Sequence, residues 1–177
     1  MRDGAGWWMR SVLGGVLLAL LSSCGYSLVG RGVNIPEHIE AVYLEALVNR
    51  TQRSQVEQFL TRAIADELTT RRRFDLVARA EDSDALLQGS VEQFAVTPIT
   101  FDPEGLATEY EISITVKVAF TERETEEELW KNERYLFREN YAVDDSSTDY
   151  FDRENDAIEE AAEAFAETMV SDLLEGF

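Results

Sequence analysis

Tyr110-Glu111-Ile112-Ser113-Ile114-Thr115-Val116-Lys117-Val118-Ala119-Phe120 decides the fold. Large apolar residues fill every even position, and polar or small residues fill every odd one. Side chains of a strand point alternately to opposite faces, so this stretch is a strand with one buried face and one wet face. A sheet with one apolar face needs a second layer to cover it. The rest of the chain is read for what supplies that layer.

Two amphipathic helices are the candidates. Val56, Phe59, Leu60, Ala63, Ile64 and Leu68 recur at helical spacing, predicting a helix over residues 55–72. Ser54 and Glu57 match a capping box at its start. Arg71, Arg72 and Arg73 close it, where positive charge suits the helix C-terminus. From Asp152 onward, Ile158, Ala161, Ala162, Phe165, Met169, Val170, Leu173 and Leu174 form a second stripe. Glu159, Glu160, Glu163 and Glu167 lie on its wet side.

The remaining strands are read more weakly. Residues 39–47 are apolar and β-rich around Val42, Tyr43 and Leu44. Residues 85–96 form a second strand whose alternation breaks near Gln93, consistent with a bulge. Residues 98–105, with Pro103, Glu104 and Gly105, read as a loop. After an acidic turn, residues 129–143 return with Tyr135, Phe137, Tyr141 and Val143 on one face. The expected fold class is α/β in the α+β sense. Its order is strand-helix-strand-strand-strand-helix, with two amphipathic helices packed on one face of a mixed, about four-stranded sheet.

The N-terminus has a separate logic. Arg2 and Arg10 precede an apolar run over residues 12–21, and Leu21-Ser22-Ser23-Cys24 follows. A charged start, a short apolar run and small residues are the layout of a secretory signal. An uncleaved span would need roughly 20 apolar residues. The four residues ending in Cys24 resemble the lipobox of bacterial lipoproteins. That resemblance implies cleavage before Cys24, a thioether-linked diacylglycerol on it, and acylation of the new amino end. Gly25, where aspartate favours inner-membrane retention, implies the outer membrane. The expected organisation is therefore residues 1–23 as signal peptide, 24–38 as lipidated tether, and 39–177 as one periplasmic domain.

Charge and residue inventory narrow the function. The chain has 177 residues and a formal net charge of −19. Removal of residues 1–23 leaves 14 basic against 34 acidic side chains, a net charge of −20. Such a chain is a poor partner for nucleic acid, whose phosphates need Lys and Arg. Cys24 is the one cysteine, so no disulfide can form within the chain. His38 is the one histidine and has no Cys or second His for a metal site. Counted from Asp144, the sixth and twelfth positions hold Asp149 and Asn155, which breaks the EF-hand pattern. No serine sits in a Gly-x-Ser-x-Gly elbow. No cofactor and no enzyme activity are expected. Arg71, Arg72 and Arg73, with Arg79 nearby, form the one dense basic cluster. It reads as helix termination first, and as an anion or partner contact second. Trp130 reads as packing, with an exposed interface aromatic as the alternative.

Several segments resemble one family in order. They are Cys24-Gly25-Tyr26-Ser27-Leu28, then Ile35-Pro36-Glu37-His38-Ile39, then the helix ending Arg71-Arg72-Arg73-Phe74-Asp75-Leu76-Val77. Ser83-Asp84-Ala85-Leu86-Leu87-Gln88-Gly89-Ser90-Val91 and Ala107-Thr108-Glu109-Tyr110 follow. This ordered set is similar to the LPS-assembly lipoprotein (LptE) family and covers the mature chain. The resemblance implies a non-enzymatic lipoprotein at the periplasmic face of the outer membrane. It implies a large β-barrel lipopolysaccharide translocon (LptD-like) as partner, plugged by the lipoprotein, which assists barrel assembly and lipopolysaccharide delivery. It also implies contact with lipopolysaccharide itself through basic loops. Here those loops carry Asp102 and Glu104, and Asp144, Asp145, Asp149 and Asp152. Acidic loops repel an anionic glycolipid unless a divalent cation bridges them. The plug and assembly role fits the charge better, because a barrel lumen is polar. Two other readings stay open at this point: a tethered lipid- or ligand-binding lipoprotein without a barrel, and a lipid-anchored hydrolase.

Overall fold

The computed structural model describes residues 35–143 and 150–175, the side chains of 150–152 excepted. The signal segment with Leu21, Ser22 and Ser23, the anchor Cys24, the tether up to residue 34 and the acidic loop over 144–149 lie outside the described residues.

The elements run β1 (Ala41–Leu44), β2 (Val48–Asn49), α1 (Val56–Arg71), β3 (Asp75–Leu76), a 3-10 turn (Ala80–Asp82), β4 (Ala85–Phe101), β5 (Ala107–Glu122), β6 (Glu128–Ala142) and α2 (Tyr150–Glu175). The alternating stretch forms the middle of β5. Ile112, Ile114, Val116, Val118 and Phe120 are buried on one face. Antiparallel β4 and β6 flank it, in register at Val91 and Val116 and at Val116 and Tyr135. A register shift between Val91 and Gln93 marks the bulge expected near Gln93.

Among the described residues the sheet has six strands, in the order β3-β1-β4-β5-β6 with β2 also on β4. About four were expected, and the difference has a simple cause. β2 is two residues, too short to show any period, and β3, also two residues, falls within residues 74–77, which the sequence allows as a short extended segment. The apolar stretch over residues 39–47 is likewise not one strand, because it leaves the ladder after Leu44 and β2 starts at Val48. Both β1 and β2 pair with β4 in parallel, and β1 pairs β3 in parallel. The sheet is thus mixed, as expected.

Both helices cover the apolar face. Val56, Leu60, Ile64 and Leu68 of α1 and Ile158, Phe165, Met169 and Leu173 of α2 share one buried cluster with the even residues of β5. Phe165 meets the Tyr135 ring edge-on at 5.7 Å. Phe74 meets Phe120 at 5.7 Å.

The start of α1 departs from the expected capping box. Gln55, not Ser54, is the N-cap. It is left-handed at φ 70° and makes no side-chain cap bond. Its carbonyl accepts from the N–H groups of Gln58 (2.9 Å) and Phe59 (3.3 Å). Glu57 is drawn elsewhere, because Asn49 Nδ2 donates to it at 2.7 Å and to the Arg53 carbonyl at 2.8 Å. A side chain distant in sequence has outcompeted the local pairing.

Asp84 fixes the entry to β1. Its carboxylate accepts from the backbone N–H of Ala41 (2.8 Å) and Glu40 (3.0 Å). These two bonds, Ala41 first, hold its pKa below the ordinary aspartate value. A depressed folded-state pKa gives stability that is present above the unfolded-state value and is lost as pH falls through the folded one. Asp84→Ala is expected to lower stability by about 1–2 kcal/mol at neutral pH. Its deficit relative to the parent should narrow below about pH 4, where the carboxyl protonates in the unfolded chain. Urea unfolding at pH 7 and pH 3 checks this, and an equal deficit at both would refute it.

Candidate partner interface

Three exposed regions concentrate polar or charged groups. The first is the helix-free face of β4, β5 and β6. It carries an open concavity of about 800 Å³ lined by Gln93, Ala95, Ser113, Thr115, Arg134, Leu136 and Arg138, with Arg53 at one side. Most of its ions are matched within the face. Lys117 Nζ lies 2.6 Å from Glu133, Lys131 Nζ 2.9 Å from Glu128, and Arg138 Nε 3.4 Å from Glu111. Hydrogen bonding to Glu128, then to Glu133, raises the Lys131 pKa, and bonding to Lys117 lowers that of Glu133. Thr115 belongs to the wet alternation yet is buried, as is Ser90. The face is therefore polar but partly covered by its own long side chains.

The second region is a groove of about 220 Å³ between α1 and α2. Phe59 and Ala63 line it beside Asp66, Glu67, Glu159, Glu163 and Glu167. The wet sides of the two helices thus meet in an acidic seam.

The third is where the arginine run falls. Arg71 Nε pairs with Glu67 at 2.6 Å, one turn back on α1, and that bond raises its pKa. Arg72 is the left-handed C-cap at φ 53°. Arg73 donates to the Ile39 carbonyl at 3.1 Å and lies 4.8 Å over the Phe74 ring. Arg72 and Arg73 line a concavity of about 380 Å³ together with Glu37, Glu40 and Asp75. Arg71 and Arg73 are thus bonded to a carboxylate and a carbonyl, and Arg72 shares a concavity with Glu37, Glu40 and Asp75.

His38 Nε2 lies 2.6 Å from Glu122, at the end of β5. Bonds from Thr125 first and His38 second lower the Glu122 pKa. Trp130 is 7% exposed and packs beside Tyr135 at 6.1 Å, so it belongs to the core. Arg53 was not singled out from the sequence. It reaches from the loop after β2 to Glu154 (3.2 Å) and Asn155 (2.7 Å) on α2. Only the fold brings residues 102 positions apart together, so no local pattern could have shown it.

The turn at Pro103, Glu104 and Gly105 lies where it was expected, but β4 runs further toward it. Residues 98–101 belong to β4, not to the loop. Pro98 sits opposite Tyr110, and the described strands β1 and β2 pair β4 no further than Val91. A proline is tolerated on such an edge. Ile99, Phe101 and Leu106 stand exposed there.

Among the described residues no helix is long and apolar enough to cross a membrane. No curated protein matches the chain. Several solved structures share its fold. A protein of Caulobacter crescentus CB15 assigned as a lipoprotein is 19% identical, with a TM-score of 0.53 over 73% of this chain and 88% of that one. Protein CT253 of Chlamydia trachomatis is 10% identical, with a TM-score of 0.53 over 78% and 97%. Lipoprotein B of Nitrosomonas europaea is 16% identical, with a TM-score of 0.51 over 83% and 91%. At these identities the likeness speaks for the fold alone. A family model reaches further: that of LptE, lipopolysaccharide assembly, matches residues 39–173, from the entry to β1 almost to the end of α2. The chain belongs to the LptE lipopolysaccharide-assembly family.

Proposed function

We propose that this chain is an outer-membrane lipoprotein that partners and plugs a large β-barrel lipopolysaccharide translocon. In this reading it is cut before Cys24, anchored there by acyl chains, and faces the periplasm as one domain. It assists the barrel's assembly and the delivery of lipopolysaccharide to the outer leaflet, and it performs no catalysis. The carrying observation is the family match over residues 39–173, which takes in the six described strands, α1 and all but the last two residues of α2. The surface supports it. A polar sheet face with matched ions and an acidic helix seam suit a polar barrel lumen better than an anionic lipid layer.

Affinity purification of the tagged chain from detergent-solubilised outer membranes tests this. A large β-barrel in near-equal amount is the expected result. One observation favours a second reading, a ligand-binding lipoprotein without a barrel: the concavity of about 800 Å³ with Leu136 and the arginines Arg134 and Arg138. Recovery of the chain alone, from membranes that contain such a barrel, would favour that reading and make bound lipid the next measurement.

A further inference from the structure

The turn between β4 and β5 is closely built. The Asp102 N–H bonds the Leu106 carbonyl at 2.9 Å, and the Gly105 N–H bonds the Asp102 carbonyl at 3.1 Å. The Leu106 N–H returns to Asp102 Oδ1 at 2.8 Å. Gly105 takes φ +87°, where a side chain would be strained. Thr100 Oγ1 braces the hairpin by donating to Glu109 at 2.8 Å.

This ordered turn presents large apolar side chains to solvent. Phe101 and Leu106 are each 57% exposed, and Ile99 is 43% exposed. Single exposed apolar residues are common, but neighbouring ones on a held loop mark a contact site. The charges beside them are all of one sign. Asp102, Glu104 and Glu109 lie between residues 99 and 109, and that segment has no Lys or Arg. Carboxylates at the tip repel an anionic lipid surface. They match an apolar protein pocket rimmed by cations.

We infer that the β4–β5 hairpin tip is a peg, with Phe101 as its anchor, that seats in an apolar, cation-rimmed socket on the barrel partner. This rests on the barrel-partner reading. A tip already ordered by its own hydrogen bonds loses little freedom on docking. A central aromatic carries a large share of such an interface.

The test uses the full-length lipidated chain in cells. A photo-crosslinking benzoylphenylalanine replaces Phe101, and F101D/L106D is compared with the parent in barrel co-purification. The expected results are a covalent adduct with the barrel from position 101, and about a tenfold or greater loss of barrel with F101D/L106D. The thermal midpoint of the purified variant should stay put, because both side chains are exposed. The peg is overturned if the parent recovers the barrel while position 101 crosslinks only lipid or nothing. It is also overturned if F101D/L106D recovers the barrel in full. If the parent itself recovers no barrel, the partner reading fails first and takes the peg with it.

Discussion

Gly89→Val is expected to destabilise the fold by about 3 kcal/mol or more, at the upper end of what overpacking costs. Gly89 lies in β4 opposite Val118, between Leu87 and Val91, which are buried under the helices. A Cβ added there would stand 2.5 Å from the Lys117 carbonyl oxygen and 2.7 Å from Leu47 Cδ2. Leu47 ends a side chain and can move a little. The Lys117 oxygen cannot, because it belongs to the backbone of β5, which is paired on both edges. Relief requires parting β4 from β5 at the centre of the sheet. For a domain whose whole stability is about 5–15 kcal/mol, that is a large fraction.

Denaturant unfolding of Gly89→Ala, Gly89→Val and Gly89→Ala/Leu47→Ala separates the two contacts. If the carbonyl is decisive, truncating Leu47 fails to restore Gly89→Ala. A full rescue by Leu47→Ala would show that Leu47 alone excludes a side chain at position 89.

How much of this was legible in the chain depends on how local the cause is. β5 was legible because one face is apolar over its whole middle, and the two helical stripes because each spans several turns. The capping box failed because Asn49 takes Glu57, a contact no reading of residues 54–57 contains. Gly89 carries no local signal either, since Leu47 and Lys117 are what close in on it. Among the candidate surfaces, the arginine run was visible as composition. Its partners Glu67, Ile39 and Phe74 are set by the helix end and the β1 entry. The hairpin tip shows the reverse difficulty. Ile99 and Phe101 are as apolar as core residues, and only the length of β4 beyond Val91 takes them out to solvent.

Cys24→Ala is expected to abolish outer-membrane anchoring, with at least about a tenfold fall in the outer-membrane fraction, because stable holding takes two or more acyl signals. Each buried methylene contributes about 0.8 kcal/mol, so one chain holds marginally and several hold firmly. Among the described residues no helix is long and apolar enough to cross a membrane. Residues 24–177 carry 14 basic and 34 acidic side chains, a net charge of −20, which anionic lipid repels. The apolar run over residues 12–21, if left uncut, falls short of the roughly 20 residues a spanning helix needs. The variant should therefore run as uncut precursor, or as a chain cut elsewhere, and leave the outer-membrane band of a sucrose gradient. The folded domain should survive, since residues 39–173 hold the buried cluster without it. Barrel recovery should fall through lost co-localisation, while thermal unfolding of the folded domain stays unchanged. A Cys24→Ala chain of mature size that still bands with the outer membrane would refute the anchor, and would place membrane attachment in the domain itself or in its partner.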